Sequence, residues 1–299
     1  MFKMSKNIPG KKMLKLGLPV GSLRKATIEL FGKAGFSIAD SERSFQPRID
    51  DEQIQLICLR AQEMSRYVAG GELDAGITGY DWLVENESDV VEAAELAYSK
   101  ATSKPARWVL AVPDESKVTE PAELAGGIIA TELVNVTKKY FADKNIDVKV
   151  EFSWGATEVK ARLVDAIVEL TETGKTLAAN NLRVIDTVIT STTRLIANKK
   201  AWQDNFKREK IENIAILLNA AIEARSKVGL KMNVKKGDLE RVLKILPAEK
   251  SPTISSLADE NYIAIEVIID DKVERSLVPA LKRAGASGII TYPLNKVIH

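Results

Sequence analysis

Histidine is almost missing from this 299-residue chain: the single one is the last residue, His299. Histidine-based triads and histidine metal clusters are thereby excluded, and any metal is expected to be a hard cation held by oxygens. Cysteine is as scarce. Cys58 stands alone, which rules out an intrachain disulfide framework and a multi-cysteine zinc site and fits a reducing compartment. Charge of one sign is also lacking: 43 Lys and Arg against 41 Asp and Glu leave +2, which makes no strong electrostatic case for nucleic acid. No apolar run approaches about 18 residues, so no membrane span is expected. The opening MFKMSKNIPGKK is basic and leads into no apolar signal core; residues 1–12 are expected to be a disordered lead and the protein cytoplasmic.

What remains is 45% hydrophobic and 28% charged, the balance of a globular protein, and the length predicts two or three domains. One stretch organises the rest. DAIVELTETGKTL, Asp165 to Leu177, opens as an apolar run interleaved with Asp165 and Glu169, then breaks into Thr171-Glu172-Thr173-Gly174-Lys175-Thr176. The expected form is an extended segment, a tight polar turn and a helix starting there and continuing through Leu182. Such a turn suits a phosphate, because the first amides of a helix lack partners and carry the positive end of its dipole. Gly174 allows close backbone approach, the threonines offer hydroxyls and Lys175 a cation. Asp165 and Glu169 are placed to accept from ribose hydroxyls or to hold Mg²⁺ through water. A Walker A loop fails on spacing, since position 169 is Glu where that loop needs Gly. An ordinary capped turn is the competing reading.

Along the chain, Met13–Leu18 reads as a strand, Leu23–Ala34 as a helix stopped by Gly35, and Ile54–Val68 as another helix. Gly70–Gly79 reads as a glycine-punctuated buried strand and Tyr80–Leu83 as a helix start, with Trp82 a core residue rather than a base-stacking platform. Strands are predicted at Arg107–Val112, Gly127–Ala130 and Val148–Trp154, with a helix through Lys144. This alternation predicts parallel βαβ units. Two β-rich runs flank Ser191-Thr192-Thr193 and are suited to return the chain from a second lobe to the first. Trp202–Ala224 is an amphipathic helix with Ile211, Ile214, Leu218 and Ile222 on one face. The last 75 residues give the order βαββαβ, the ferredoxin-like pattern.

The strings LGLPVGSL (16–23), YVAGGELDAGITGYDWL (67–83), RWVLAVP (107–113), WGATE (154–158), LVDAIVELTETGKTLAANNL (163–182) and the terminal KSPTISSLADE and GIITYPLNKVI together resemble the ATP phosphoribosyltransferases of the long form. The resemblance implies an α/β, two-lobed, type II periplasmic-binding-protein-like catalytic core, followed by a ferredoxin-like (ACT-like) regulatory domain. Lobe I would comprise residues 1–106 and 191–224, lobe II residues 107–190, and the regulatory domain residues 225–299. It implies transfer of the phosphoribosyl group of phosphoribosyl pyrophosphate to ring nitrogen 1 of ATP with Mg²⁺, inhibition by histidine, and a homo-hexamer, with a dimer the alternative.

By motif, phosphoribosyl pyrophosphate would be held by Asp165, Ala166, Glu169, Thr171, Glu172, Thr173, Gly174, Lys175 and Thr176. ATP and pyrophosphate would meet Gly21, Arg43, Arg48, Asp74, Gly76 and Thr78. The resemblance makes Asp165, Glu169 and Arg24 the catalytic set, Arg24 standing in for the Lys or Arg that family members commonly carry where this chain has Val20. Asp165 and Glu169 would also face the metal. For the histidine effector the matching positions are Asn233, Ser251, Thr253, Ile268 and Gly288, although Ser251-Pro252-Thr253 reads equally well as a strand-initiating turn.

Overall fold

Mostly buried strands build the centre of the first sheet. β1 (Leu14–Pro19) leads through a one-turn 3₁₀ helix into α1 (Arg24–Ala34), which stops at Gly35 in the left-handed conformation (φ 102°). A short hairpin, β2 (Ile38–Ala39) and β3 (Arg48–Ile49), precedes β4 (Ile54–Leu59), α2 (Ala61–Gly70), β5 (Ala75–Gly79), α3 (Tyr80–Glu85) and β6 (Val91–Leu96). The structure, a computed structural model, describes residues 12–39, 44–98, 105–247 and 251–298; Arg43 and nearly all of the basic lead, residues 1–11, lie outside them.

The helix expected over Ile54–Val68 is instead a strand followed by a helix. Ile54, Leu56 and Cys58 are buried while Gln55, Ile57 and Leu59 are half-buried, a period of two that overrides a helical reading of the apolar count. Arg60, extended at φ −66° and ψ 140°, separates the two elements.

The second sheet contains β7 (Ala106–Pro113), β8 (Ile128–Thr131), α4 (Val134–Asp143), β9 (Lys149–Phe152), α5 (Thr157–Lys160), β10 (Ala166–Thr171), α6 (Lys175–Ala179) and β11 (Leu182–Ser191). The chain then returns. β12 (Thr193–Ala197) inserts between β5 and β6, giving the orders β4-β1-β5-β12-β6 and β11-β7-β10-β8-β9. This is the two-lobed core that was expected, but its sheets are mixed. Parallel neighbours β4, β1 and β5 in the first and β9, β8 and β10 in the second are completed by antiparallel β12 and β6, or β7 and β11. The strands that cross between lobes enter against the grain.

Each lobe closes its own core. Met64, Val68, Leu73 and Ile196 gather on the first sheet, and Leu110, Ile129, Phe141 and Val168 on the second. After β12 come α7 (Lys199–Gln203), capped by the Asn198 side chain, and α8 (Asn205–Glu223). On α8, Ile211, Ile214 and Leu218 are buried and Ile222 half-buried. Lys207 and Lys210 bind Asp74 (2.7 Å) and Asp51 (2.8 Å).

Residues 1–215 and 216–299 form two compact units that divide inside α8. The second unit carries β13 (Lys227–Lys235), α9 (Leu239–Leu243), β14 (Thr253–Ser256), β15 (Tyr262–Asp270), α10 (Asp271–Arg283) and β16 (Ser287–Pro293). Its antiparallel order β14-β15-β13-β16 is the ferredoxin-like pattern read from the sequence. Leu230, Met232, Val234, Ile265, Leu277 and Leu281 form its core. No helix among the described residues is long and apolar enough to cross a membrane.

Candidate active site

The parallel strands of both sheets end at one cleft of about 920 Å³. From the first sheet come Val20–Leu23 after β1, Arg60–Gln62 after β4, and Gly79, Asp81 and Trp82 where β5 becomes α3. From the second come Glu132 after β8 and Glu169–Thr173 with Thr176 around the end of β10. The two crossings between lobes complete the floor with Tyr98, Ser191, Thr192 and Thr193. A crevice outside the carboxyl ends of the strands is the usual ligand position in open α/β sheets.

At the end of β10 the turn is closed from within. The Gly174 N–H donates to Thr171 Oγ1 at 2.8 Å, so these two groups satisfy each other. Gly174 sits at φ +74°, with nothing within 4 Å of where a Cβ would project. Thr173 and Thr176 are exposed toward the cleft, whereas Lys175 is exposed outside its lining. The helix expected to run through Leu182 stops at Ala179, because Asn181 adopts φ 55° and β11 begins at once.

Glu169 projects into the cleft from the last turn of β10's alternation. Burial pushes its carboxyl up to about 7, partly offset by a hydrogen bond from Thr157, and the nearby carboxylates of Glu158 and Glu132 raise it further. Asp81 is 4% exposed. Burial raises it as well, against hydrogen bonds from Trp108 Nε1 (2.6 Å) and the Trp82 N–H (3.0 Å).

Several residues expected at the site stand elsewhere. Asp165 lies six residues before Thr171, roughly 20 Å along the strand. Its carboxylate accepts from the Ile128 N–H at 2.8 Å, which ties two strands together at a position outside the cleft lining. Ala166 is fully buried in the core. Asp74 accepts from the Lys15 N–H (2.8 Å) and pairs with Lys207. At Gly76 a Cβ would meet Met64 Sδ at 2.7 Å, so this glycine serves helix-on-sheet contact. Thr78 is fully buried and donates to the Ala61 carbonyl at 2.7 Å. Arg24 turns to the Ser44 carbonyl at 3.0 Å, and Arg48 is exposed on β3, away from the cleft lining. Of the expected nucleotide contacts, Gly21, Glu169, Thr171, Glu172, Thr173 and Thr176 do line the cleft.

The sequence reading missed Arg60, Gln62, Glu132, Tyr98 and Trp108. Among the described lining residues Arg60 is the one cation, and the strand-then-helix break that places it was hidden inside the helix assigned to 54–68. Trp82 is half-buried and does pack on the second lobe's core, edge-to-face with Trp108 at 6.0 Å, yet it also faces the cleft.

In the second unit the expected effector positions separate into two places. Asn233 and Gly288 are neighbours, with a Gly288 Cβ projected 3.4 Å from Asn233 Nδ2. Ile268 pairs with Gly229, four residues along β13 from Asn233. Thr253 pairs with Glu266 on the far side of β15, and Ser251, just before it, is exposed.

Residues 60–220 match the family described as ATP phosphoribosyltransferase, and residues 224–296 the one described as HisG, C-terminal domain. The ATP phosphoribosyltransferase of Chlorobaculum parvum is 56% identical over 287 residues, 96% of this chain and 98% of that protein. That of Thermodesulfovibrio yellowstonii is 56% identical over 288 residues, 96% of this chain and 99% of the other. The solved ATP phosphoribosyl transferase (HisG:HisZ) complex from Thermotoga maritima superposes with a TM-score of 0.60 at 29% identity, over 71% of this chain and 98% of that one.

Proposed function

The chain belongs to the ATP phosphoribosyltransferase family, and from that premise we propose how its cleft performs the transfer. The reaction is the first step of histidine biosynthesis, with ATP and phosphoribosyl pyrophosphate as substrates, and the C-terminal match carries the histidine feedback.

The sugar's 5′-phosphate binds at the end of β10, between Thr173, Thr176 and the amides of that turn, and Glu169 accepts from the ribose hydroxyls. The observation that carries this reading is that Glu169 and Thr171–Thr173 share one cleft wall with Thr176. ATP lies toward the first lobe at Val20–Leu23. Ring nitrogen 1 of adenine already presents a lone pair, so attack needs no histidine base. Positioning supplies much of the acceleration, up to about 7–11 kcal/mol in favourable cases.

The departing pyrophosphate requires positive charge, and Val20 supplies none. Arg60 takes that role from the end of β4. For Mg²⁺ the donor set is thin: no group of three or more His, Cys, Asp and Glu gathers among the described residues. Glu169, whose charge is opposed by Glu132 and Glu158, nevertheless fits a cation that takes its remaining ligands from pyrophosphate and water. A Mg²⁺ held by Glu169 would supply neutralisation of the leaving group's charge; Asp165, tied to the Ile128 N–H outside the cleft lining, is not among the residues that would hold it. We carry forward a homo-hexamer and a cytoplasmic location as proposals resting on the family alone.

Arg60→Gln tests the cleft. The expected result is a kcat/KM for phosphoribosyl pyrophosphate reduced about 100-fold, with pyrophosphate a correspondingly weaker product inhibitor. An unchanged inhibition constant for pyrophosphate removes Arg60 from the leaving-group site.

A further inference from the structure

α3 follows directly from a first-lobe strand, yet its side chains are built into the second lobe. Trp82 and Val84 pack on the core around Trp108, Leu110 and Val136. Near its start, buried Asp81 accepts from Trp108 Nε1 at 2.6 Å. At its end, Glu85, 9% exposed, accepts the N–H groups of Asn135 (3.1 Å) and Val136 (3.0 Å) in the first turn of α4. Asn135 Nδ2 returns a bond to the Glu85 carbonyl at 2.9 Å. The other side of the same six-residue helix is tied to α2: Ser65 Oγ donates to the Trp82 carbonyl (3.2 Å), and Asn86 Nδ2, one residue past the helix, to the Gln62 carbonyl (2.9 Å).

We propose that α3 is the strut setting the separation of the two substrate-binding walls, with Asp81 and Glu85 as its positioning residues. Asp81 fixes the Trp108 wall. Glu85 fixes the start of α4 and with it Glu132, which faces Gln62 across the cleft at 3.5 Å. Neither carboxylate needs to touch a substrate for this. Both are buried carboxylates with a hydrogen bond to the opposite lobe, whereas the carboxylate of comparably buried Asp74, 8% exposed, bonds Lys15 and Lys207 on its own side. The inference rests on the proposed cleft: walls held at a fixed spacing matter because the two substrates bind to different lobes.

The test compares Asp81→Ala and Glu85→Ala with Asp81→Asn, Glu85→Gln and Asp74→Asn, reading melting temperature, kcat and both KM values. The alanine variants are expected to raise the KM of ATP and of phosphoribosyl pyrophosphate together, each by about tenfold or more, and the isosteric variants, which keep one acceptor oxygen but turn an amide NH2 toward the second N–H donor, to raise both by less than the alanine variants do. Asp74→Asn lowers the melting temperature with both KM values within about twofold of wild type. Folded alanine variants with unchanged KM values overturn the proposal, and so does Asp74→Asn raising KM as far, since general destabilisation then suffices. Should the alanine variants not fold, Trp108→Phe removes the indole donor and keeps a ring. It is expected to raise both KM values by about threefold or more, and unchanged values overturn the proposal. Failure of the cleft assignment is a separate result: Glu169→Gln would then leave the KM for phosphoribosyl pyrophosphate unmoved.

Discussion

The two lobes treat their acids in the same way at one end of a strand and differently at the other. Asp74 stands before β5 and Asp165 before β10, and each makes two bonds to the backbone of a neighbouring parallel strand, one through its carboxylate and one through its own N–H. The Lys15 N–H donates to Asp74 (2.8 Å) and the Asp74 N–H to the Lys15 carbonyl (3.0 Å); the Ile128 N–H donates to Asp165 (2.8 Å) and the Asp165 N–H to the Ile128 carbonyl (3.1 Å). At the other end the lobes diverge. Asp81, after β5, is buried and bonded to Trp108, while Glu169, near the end of β10, opens onto the cleft with its proton held up to about pH 7. Position along the strand therefore sorts acids that look equivalent in the sequence: those at the entry secure register, and those at the exit hold the lobes or meet the ligand.

The sharpest way to break this contrast is to neutralise one acid at each end of β10. Glu169→Gln is expected to lower kcat/KM for phosphoribosyl pyrophosphate about 100-fold, and Asp165→Asn to leave it within about threefold while lowering the melting temperature. Steady-state kinetics of the two side by side decide; an equal loss in both would return Asp165 to the site.

A smaller effect is expected from the glycines that turn the chain beside each strand exit. Gly174 and Gly21 both adopt positive φ, +74° and +78°, with open space around them. Valine at either is strained by about 1–2 kcal/mol, through backbone conformation rather than a blocked contact. Gly174→Val should raise the KM for phosphoribosyl pyrophosphate about tenfold and Gly21→Val that for ATP. If both substitutions move the same constant, the assignment of one substrate to each lobe is wrong.

Titration separates the acids again. Glu169 rises from 4.5 to about 7, so its contribution to stability is present below its unfolded value and is lost as pH climbs through 7. Its ionised form then carries a penalty on the order of 1–2 kcal/mol after allowance for partial exposure. Glu169→Gln should be more stable than wild type at pH 8 and show no such gain at pH 4; melting curves across that range check the sign. Least in size, Asn233→Ala and Ser251→Ala should differ in histidine inhibition by several-fold, because β15 lies between β13, which carries Asn233, and β14, which Ser251 precedes. Equal shifts in both would mean that one site spans them.

The ferredoxin-like unit, the return of the chain at Ser191–Thr193 and the tight turn after β10 were legible because each rests on local pattern: apolar periodicity, a β-rich run, Gly among threonines. Arg60 was not, since the alternation of Ile54, Leu56 and Cys58 was merged with the helix that follows, and the break between them is where the cation sits. That Asp165 and Asp74 lie outside the cleft lining has another cause. Spacing along a strand says which residues share a face, but not which end opens on the cleft; that depends on how parallel strands from two lobes converge, a non-local fact. Asp81 and Glu85 were passed over for the same reason, their partners Trp108 and Val136 lying 27 and 51 residues away.

A crystal structure with phosphoribosyl pyrophosphate and Mg²⁺ bound tests the central assignment most directly. The 5′-phosphate is expected within hydrogen-bond distance of the Thr173 and Thr176 hydroxyls, with the ribose hydroxyls on Glu169. Density for the phosphate at any other wall, with the turn after β10 facing only water, would contradict it.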